Sequence, residues 1–209
     1  MHSPWLEIPL EDYEAHMSLP SVGQAQMLAD QLGMLIAQHA PASVAVIGCA
    51  GGNGLDRCAS SCVKRVVAID INSKYIAACK VRFANQLANL ELHCADLESQ
   101  ELQFAPVDLI YAALVFEYAD VAATLATCKR NLRPGGALAV LLQLAHTEQP
   151  GVSPSPYTSL NTLAKVMQLR RPADLGARAA AAGFELAGSN TMELPSGKRF
   201  LLQIFVRSA

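Results

Sequence analysis

Two periods of hydrophobic spacing alternate along the chain. Leu28, Leu32 and Leu35 recur four and three residues apart, the spacing of one helical face. Ser21 followed by Gln24 reads as a capping box for that helix, and Pro41 should end it. Short continuous apolar runs then take over. "SVAVIG" (43–48), "RVVAID" (65–70), "LELHCAD" (90–96), "VDLIYAALVF" (107–116) and "ALAVLLQL" (137–144) read as strands buried on both faces. Between them, "LDRCASSCV", "KYIAACKVRFANQL" and "VAATLATCKRNL" read as helices. Asn72 or Ser73 should cap the second, where Ile76, Phe83 and Leu87 share a face. The third aligns Leu125, Cys128 and Leu132. Arg133-Pro134-Gly135-Gly136 reads as a turn.

The last third changes character. Residues 147–157, "TEQPGVSPSPY", read as a loop. "TSLNTLAKVMQL" and "ADLGARAAAAG" look helical, the latter ending at Gly183. "FELAGSNTMEL" and "KRFLLQIFV" form a hairpin around Pro195-Ser196-Gly197. Continuous apolar strands alternating with helices predict a doubly wound, mostly parallel α/β sheet, which binds ligands beyond the carboxyl ends of its strands.

The 209 residues are 52% apolar and 16% charged, enough for a large core, and the net charge of −2 lacks the basic footprint of a nucleic-acid binder. The N-terminal "MHSPWLEIPLEDYEAHM" has four acidic residues and no apolar run, unlike a signal peptide. No apolar stretch has the length of a membrane span. Six cysteines without a C-x-x-C pair read as reduced thiols of a cytoplasmic protein, and no metal site is expected.

The candidate chemistry starts at "VAVIGCAGGNGLD" (44–56). Glycines after a first strand let a ligand lie against the backbone, at the exposed N–H groups of the following helix. A phosphate loop is excluded, because no Lys-Ser/Thr follows. G-x-G-x-x-G is not matched from Gly48. Asp70 ends the second strand 22 residues beyond Gly48, placed to accept from two ribose hydroxyls, or to cap the next helix. Asp96 ends the third strand, where a carboxylate can accept from an adenine amine or serve only as a loop residue.

"VAVIGCAGGNG", "VVAID", "LHCADLE", "VDLIYAALVFEYAD" and "NLRPGGALAV" together resemble class I S-adenosylmethionine-dependent methyltransferases of the small-molecule, type 11/12-like branch, over about residues 42–145. The resemblance implies a Rossmann-like seven-stranded sheet with a C-terminal antiparallel hairpin strand. It implies that Gly48, Cys49, Ala50 and Gly52 pass beneath the methionine and ribose of S-adenosylmethionine. Asp70 would hold the ribose, Ile71 would lie on the adenine, Asp96 and Leu97 would read its edge, and Ala112 and Ala113 would lie near the sulfonium. Three positions depart from the family. Val46 replaces a frequent acid, Ala50 a glycine, and Tyr118 the histidine of a frequent Glu-His pair.

The implied activity is methyl transfer to a small-molecule acceptor. A non-catalytic cofactor-binding member of the fold is the alternative, ahead of an NAD-dependent oxidoreductase, which shares the glycine turn and Asp70 but not Asp96 or the hairpin. Glu117, Tyr118, His146 and Tyr157 are candidates for a base facing the acceptor. Residues 1–40 form an N-terminal arm and helix, read as a cap over the domain at 41–209. Within it, either Tyr13 is placed near the carboxylate of the cofactor or His16 near the acceptor. Neither nucleic acid nor membrane is an expected partner, and a homodimer is left open.

Overall fold

A computed structural model describes residues 3–60, 62–87, 89–98, 102–146 and 149–208. After a short 3-10 turn at Pro4–Leu6, the chain forms α1 (Leu10–Ser18), α2 (Gln24–His39), β1 (Ser43–Ile47), β2 (Arg65–Asp70), α3 (Ser73–Phe83) and β3 (Leu90–Cys94). It continues through β4 (Val107–Ala113), α4 (Val121–Asn131), β5 (Leu132–Gln143), α5 (Pro172–Ala181), β6 (Phe184–Glu193) and β7 (Arg199–Arg207). The seven strands form one sheet in the order β3-β2-β1-β4-β5-β7-β6. β1 to β5 pair in parallel, while β7 runs antiparallel to both β5 and β6.

Period-two alternation builds a core on each face of this sheet. Val44 and Val46 of β1, Ala68 of β2, Leu109 and Tyr111 of β4 and Leu141 of β5 pack against Leu28, Leu32, Leu35 and Ile36 of α2 and Cys79 of α3. Their neighbours Ala45, Ile47, Ile69, Ile110, Ala112 and Val140 face Leu125 and Cys128 of α4 and Leu175 and Ala179 of α5. Val46, where the family often has an acid, belongs to the first of these cores.

Local signals account for several boundaries. The Asn72 side chain accepts from Lys74 N at 2.9 Å and starts α3, and the Asp120 side chain accepts from Ala123 N at 2.8 Å and starts α4. α2 stops at Ala40, which has φ 42° and immediately precedes Pro41. Gly197 (φ 80°) closes the β6–β7 turn by donating to Leu194 O at 2.8 Å.

Four local readings are corrected. Ser21 does not cap α2; Gly23 does, in a left-handed conformation without a side-chain bond. The helix read at "LDRCASSCV" is only a 3-10 turn at Leu55–Cys58, since Gly54 and the following serines do not sustain a helix. "TSLNTLAK" is likewise 3-10, over Thr158–Lys165. The Arg133–Gly136 turn is a bulge inside β5. There Val107 pairs with Leu132 and Leu109 with Ala137, so four residues bulge opposite Asp108.

Candidate functional site

A cavity of about 540 Å³ lies over the carboxyl ends of β3, β2, β1, β4 and β5. Each strand tip contributes to its lining: Ala95 and Asp96, Asp70 and Ile71, Ile47 and Gly48, Ala113 and Leu114, and Gln143. The size is that of a small-molecule site, and the position is where parallel sheets bind ligands.

Asp70 organises the inner wall. It is 8% exposed. One carboxylate oxygen accepts from Ala50 N and the other from Asn72 N, each at 2.9 Å. Burial raises its pKa, while these backbone bonds and one from Ile71 pull it down. The carboxylate thus ties the glycine turn to the start of α3 and keeps acceptor capacity for a ligand hydroxyl. The turn is shaped for close approach. Gly48 has φ 70°, and a Cβ there would lie 2.7 Å from Val115 Cγ2. Ala50 (φ 47°) and Leu114 (φ 57°) hold left-handed conformations that cost non-glycine residues energy, and both line the cavity.

The N-terminal segment forms the outer wall. Trp5 meets Tyr13 edge-on at 5.6 Å and Tyr118 at 5.1 Å, and Tyr13 stacks on Tyr75 at 6.3 Å. Trp5 O accepts from Asn72 Nδ2 at 2.8 Å, and Ile8 O accepts from the Tyr75 hydroxyl at 3.0 Å. Arg82 of α3 pairs with both carboxylate oxygens of Glu14 and donates to Gly51 O at 2.9 Å. The arm is therefore fastened to the same helix start and turn that Asp70 organises. His16 and Tyr13 both line the cavity.

The other candidates separate. Gly48, Ala50, Asp70, Ile71, Asp96, Leu97, Ala113, Tyr13 and Tyr118 line the cavity. Cys49, Gly52 and Ala112 do not. The Cys49 thiol turns inward, 3.8 Å from the Cys79 sulfur. A Cβ on Gly52 (φ 99°) would lie 2.3 Å from the Phe83 ring, so this glycine admits α3. Ala112 is in the α4–α5 core. Glu117 is 0% exposed and accepts from Gln143 N at 2.8 Å, behind the tip of β5. Burial raises its pKa to about 7. Glu117 instead borders a second cavity of about 500 Å³, beside Arg170 and the start of α5. His146 is half-buried outside the first cavity, and Tyr157 packs with Ile8, Leu160 and Leu163.

Several wall residues carried no sequence signal. Gln143, Gly151, Val152, Leu160 and Met167 reach the cavity from β5 and the irregular segment after it. Trp5 could have been found only as a lone aromatic residue in a polar arm.

Residues 45–140 match the family model described as methyltransferase domain. That match runs from β1 into β5, the part of the chain that holds the strand tips, and supports a class I S-adenosylmethionine-dependent methyltransferase domain there. The match supports methyl transfer over the oxidoreductase reading. No curated protein matches the sequence. Among solved structures, the chain is similar to the N-methyltransferase NodS from Bradyrhizobium japonicum WM9, solved with S-adenosyl-L-homocysteine. That match has 16% identity, a TM-score of 0.67, and covers 89% of this chain and 88% of NodS. It is similar to magnesium protoporphyrin IX methyltransferase from Synechocystis PCC 6803, solved with the same product, at 16% identity and TM-score 0.66, covering 90% and 84%. The [4+2]-cyclase SpnF matches at 15% identity and TM-score 0.66, covering 86% and 82%. These likenesses establish the fold and leave the acceptor open. No helix among the described residues is long and apolar enough to cross a membrane.

Proposed function

We propose that S-adenosylmethionine lies in the cavity over the strand tips, with Asp70 accepting from the ribose hydroxyls and Asp96 from the adenine amine. Ile71 and Leu97 pack on the base. Gly48 and Ala50 pass under the methionine portion, and Ala113 lies near the sulfonium. Residues 1–40 act as a cap, with Trp5 and Tyr13 over the cofactor. Bound there, the cofactor supplies a methyl group already activated by its sulfonium. The residues of the chain bind, orient and exclude water, and orientation of this kind is worth roughly 7–11 kcal/mol. The acceptor is a small molecule, since the arm and the segment after β5 wall the cavity and leave room of about 540 Å³. All six cysteines are free thiols, which supports a reducing compartment such as the cytoplasm.

One observation carries this reading. Asp70 is buried at the inner wall, joined to both the glycine turn and the next helix, and shares its cavity with Asp96. The test is calorimetric titration of S-adenosylhomocysteine into wild type and Asp70→Ala. Loss of two hydrogen bonds to a charged acceptor should weaken binding by about 1.5–3 kcal/mol per bond. Equal affinity in a folded variant would remove Asp70 from the site.

A further inference from the structure

With the adenosyl group at the tips of β2 and β3, the space over β4 and β5 is left for the acceptor. Strands lie about 4.8 Å apart, so β5 is roughly 14 Å from β2 across the sheet. That end of the cavity contains His16, Gln143 and Gly151. His16 is 4% exposed, and its Nδ1 lies 2.9 Å from Ser155 Oγ. Ser155 Oγ also accepts from Tyr157 N at 3.3 Å. Donating its own proton to Nδ1 leaves the imidazole with an Nε2–H for a ligand.

Directly behind this wall is Lys198, brought in by the β6–β7 turn and 4% exposed. Its ammonium donates to Gly151 O at 2.7 Å, the carbonyl that also accepts from Gln143 Nε2 at 2.9 Å. Among the described residues, no carboxylate stands within 4 Å of this ammonium. A buried cation with no counter-charge is costly, and an anionic ligand nearby offsets that cost. Burial pushes the Lys198 ammonium down to about 8, so it is still charged at neutral pH; burial first, and the Lys198 charge second, lower the pKa of His16. Among the described residues, the acidic side chains nearest the cavity have other places: Glu98, just beyond β3, accepts from Asp120 N. Asp70 and Asp96 belong to the adenosyl end, Asp12 is bonded to Ser159, and Glu117 is sealed behind the Gln143 backbone.

We propose that the acceptor is a small organic oxyanion, a carboxylate or acidic phenolate, bound at the His16–Gln143 end with Lys198 supplying the charge that selects it. The acceptor oxygen forms a bond to the methyl carbon, the carbon–sulfur bond breaks, and its electron pair stays on sulfur. Oxyanion and sulfonium become a neutral ester or ether and a neutral thioether. No proton leaves the acceptor, so the step needs no general base. This agrees with a site where burial disfavours the charged form of His16 and where Glu117 faces away from the first cavity.

The inference rests on the cofactor reading above, and the experiment separates the two. S-adenosylhomocysteine is titrated first. The saturated protein is then titrated with a series of aromatic and aliphatic carboxylates, the matching phenols, and amines of the same skeletons. Formation of S-adenosylhomocysteine from S-adenosylmethionine is followed over the same series. At least one oxyanion should bind and be methylated, with carboxylates and phenols distinguished by which series responds. Lys198→Met should weaken that binding tenfold or more while leaving S-adenosylhomocysteine affinity unchanged, and Lys198→Arg should restore part of it. Failure to bind S-adenosylhomocysteine would overturn the cofactor reading. Normal binding of it with response only to amines, with no response to any oxyanion, or with an unaltered oxyanion affinity in Lys198→Met would overturn this proposal alone.

Discussion

Replacing Glu117 with glutamine asks whether that carboxyl is a sealed structural group or a working base. Its side chain has no solvent exposure, one oxygen accepts from Gln143 N, and the other has no hydrogen-bond partner among the described residues. Burial raises its pKa from an ordinary 4.5 to about 7. The folded protein therefore favours the protonated form. The stability this confers is complete below the unfolded-chain value near 4.5 and is lost as pH rises toward 7. At 1.36 kcal/mol per unit, the shift corresponds to a loss of about 3 kcal/mol. Glutamine keeps the acceptor for Gln143 N and cannot ionise. Urea denaturation of wild type and Glu117→Gln from pH 4.5 to 8 should show the variant gaining about 3 kcal/mol relative to wild type across that range. Other titrating groups are common to both proteins and cancel. A stability difference independent of pH would refute the argument from burial. Loss of methyl transfer in a variant that still binds S-adenosylhomocysteine would show that Glu117 works as a base.

The remaining predictions concern the glycine turn and the arm. Gly52→Ala should destabilise the fold by about 1–3 kcal/mol, because its Cβ would strike the Phe83 ring and displace α3; a melting temperature equal to wild type would contradict that packing. Arg82→Met removes both the partly exposed Glu14 pair and the bond to Gly51 O. Stability should fall by no more than about 1 kcal/mol, while stopped-flow release of S-adenosylhomocysteine should accelerate; an unchanged off-rate would argue against the arm as a cap.

Local signals in the sequence were sufficient for the alternating layers, the parallel direction of β1 to β5 and the hairpin beyond them. Each follows from short-range periodicity and punctuation: apolar runs, Asn72 as a cap, Pro41 as a stop and Gly197 in the turn. The place of Asp70 and Asp96 at the strand tips was legible for a related reason. Strand ends are visible locally, and a parallel sheet places its strand ends side by side. What tertiary structure alone decided depends on residues far apart in the chain. The pair His16–Ser155 spans 139 positions, and Lys198 meets Gly151 from 47 positions away. No period or motif encodes such a meeting; it follows from how the arm and the segment after β5 pack on a finished sheet. The same holds for Gly52, whose missing side chain makes room for Phe83, and for Glu117, which looked like a base facing the acceptor until the tip of β5 closed over it.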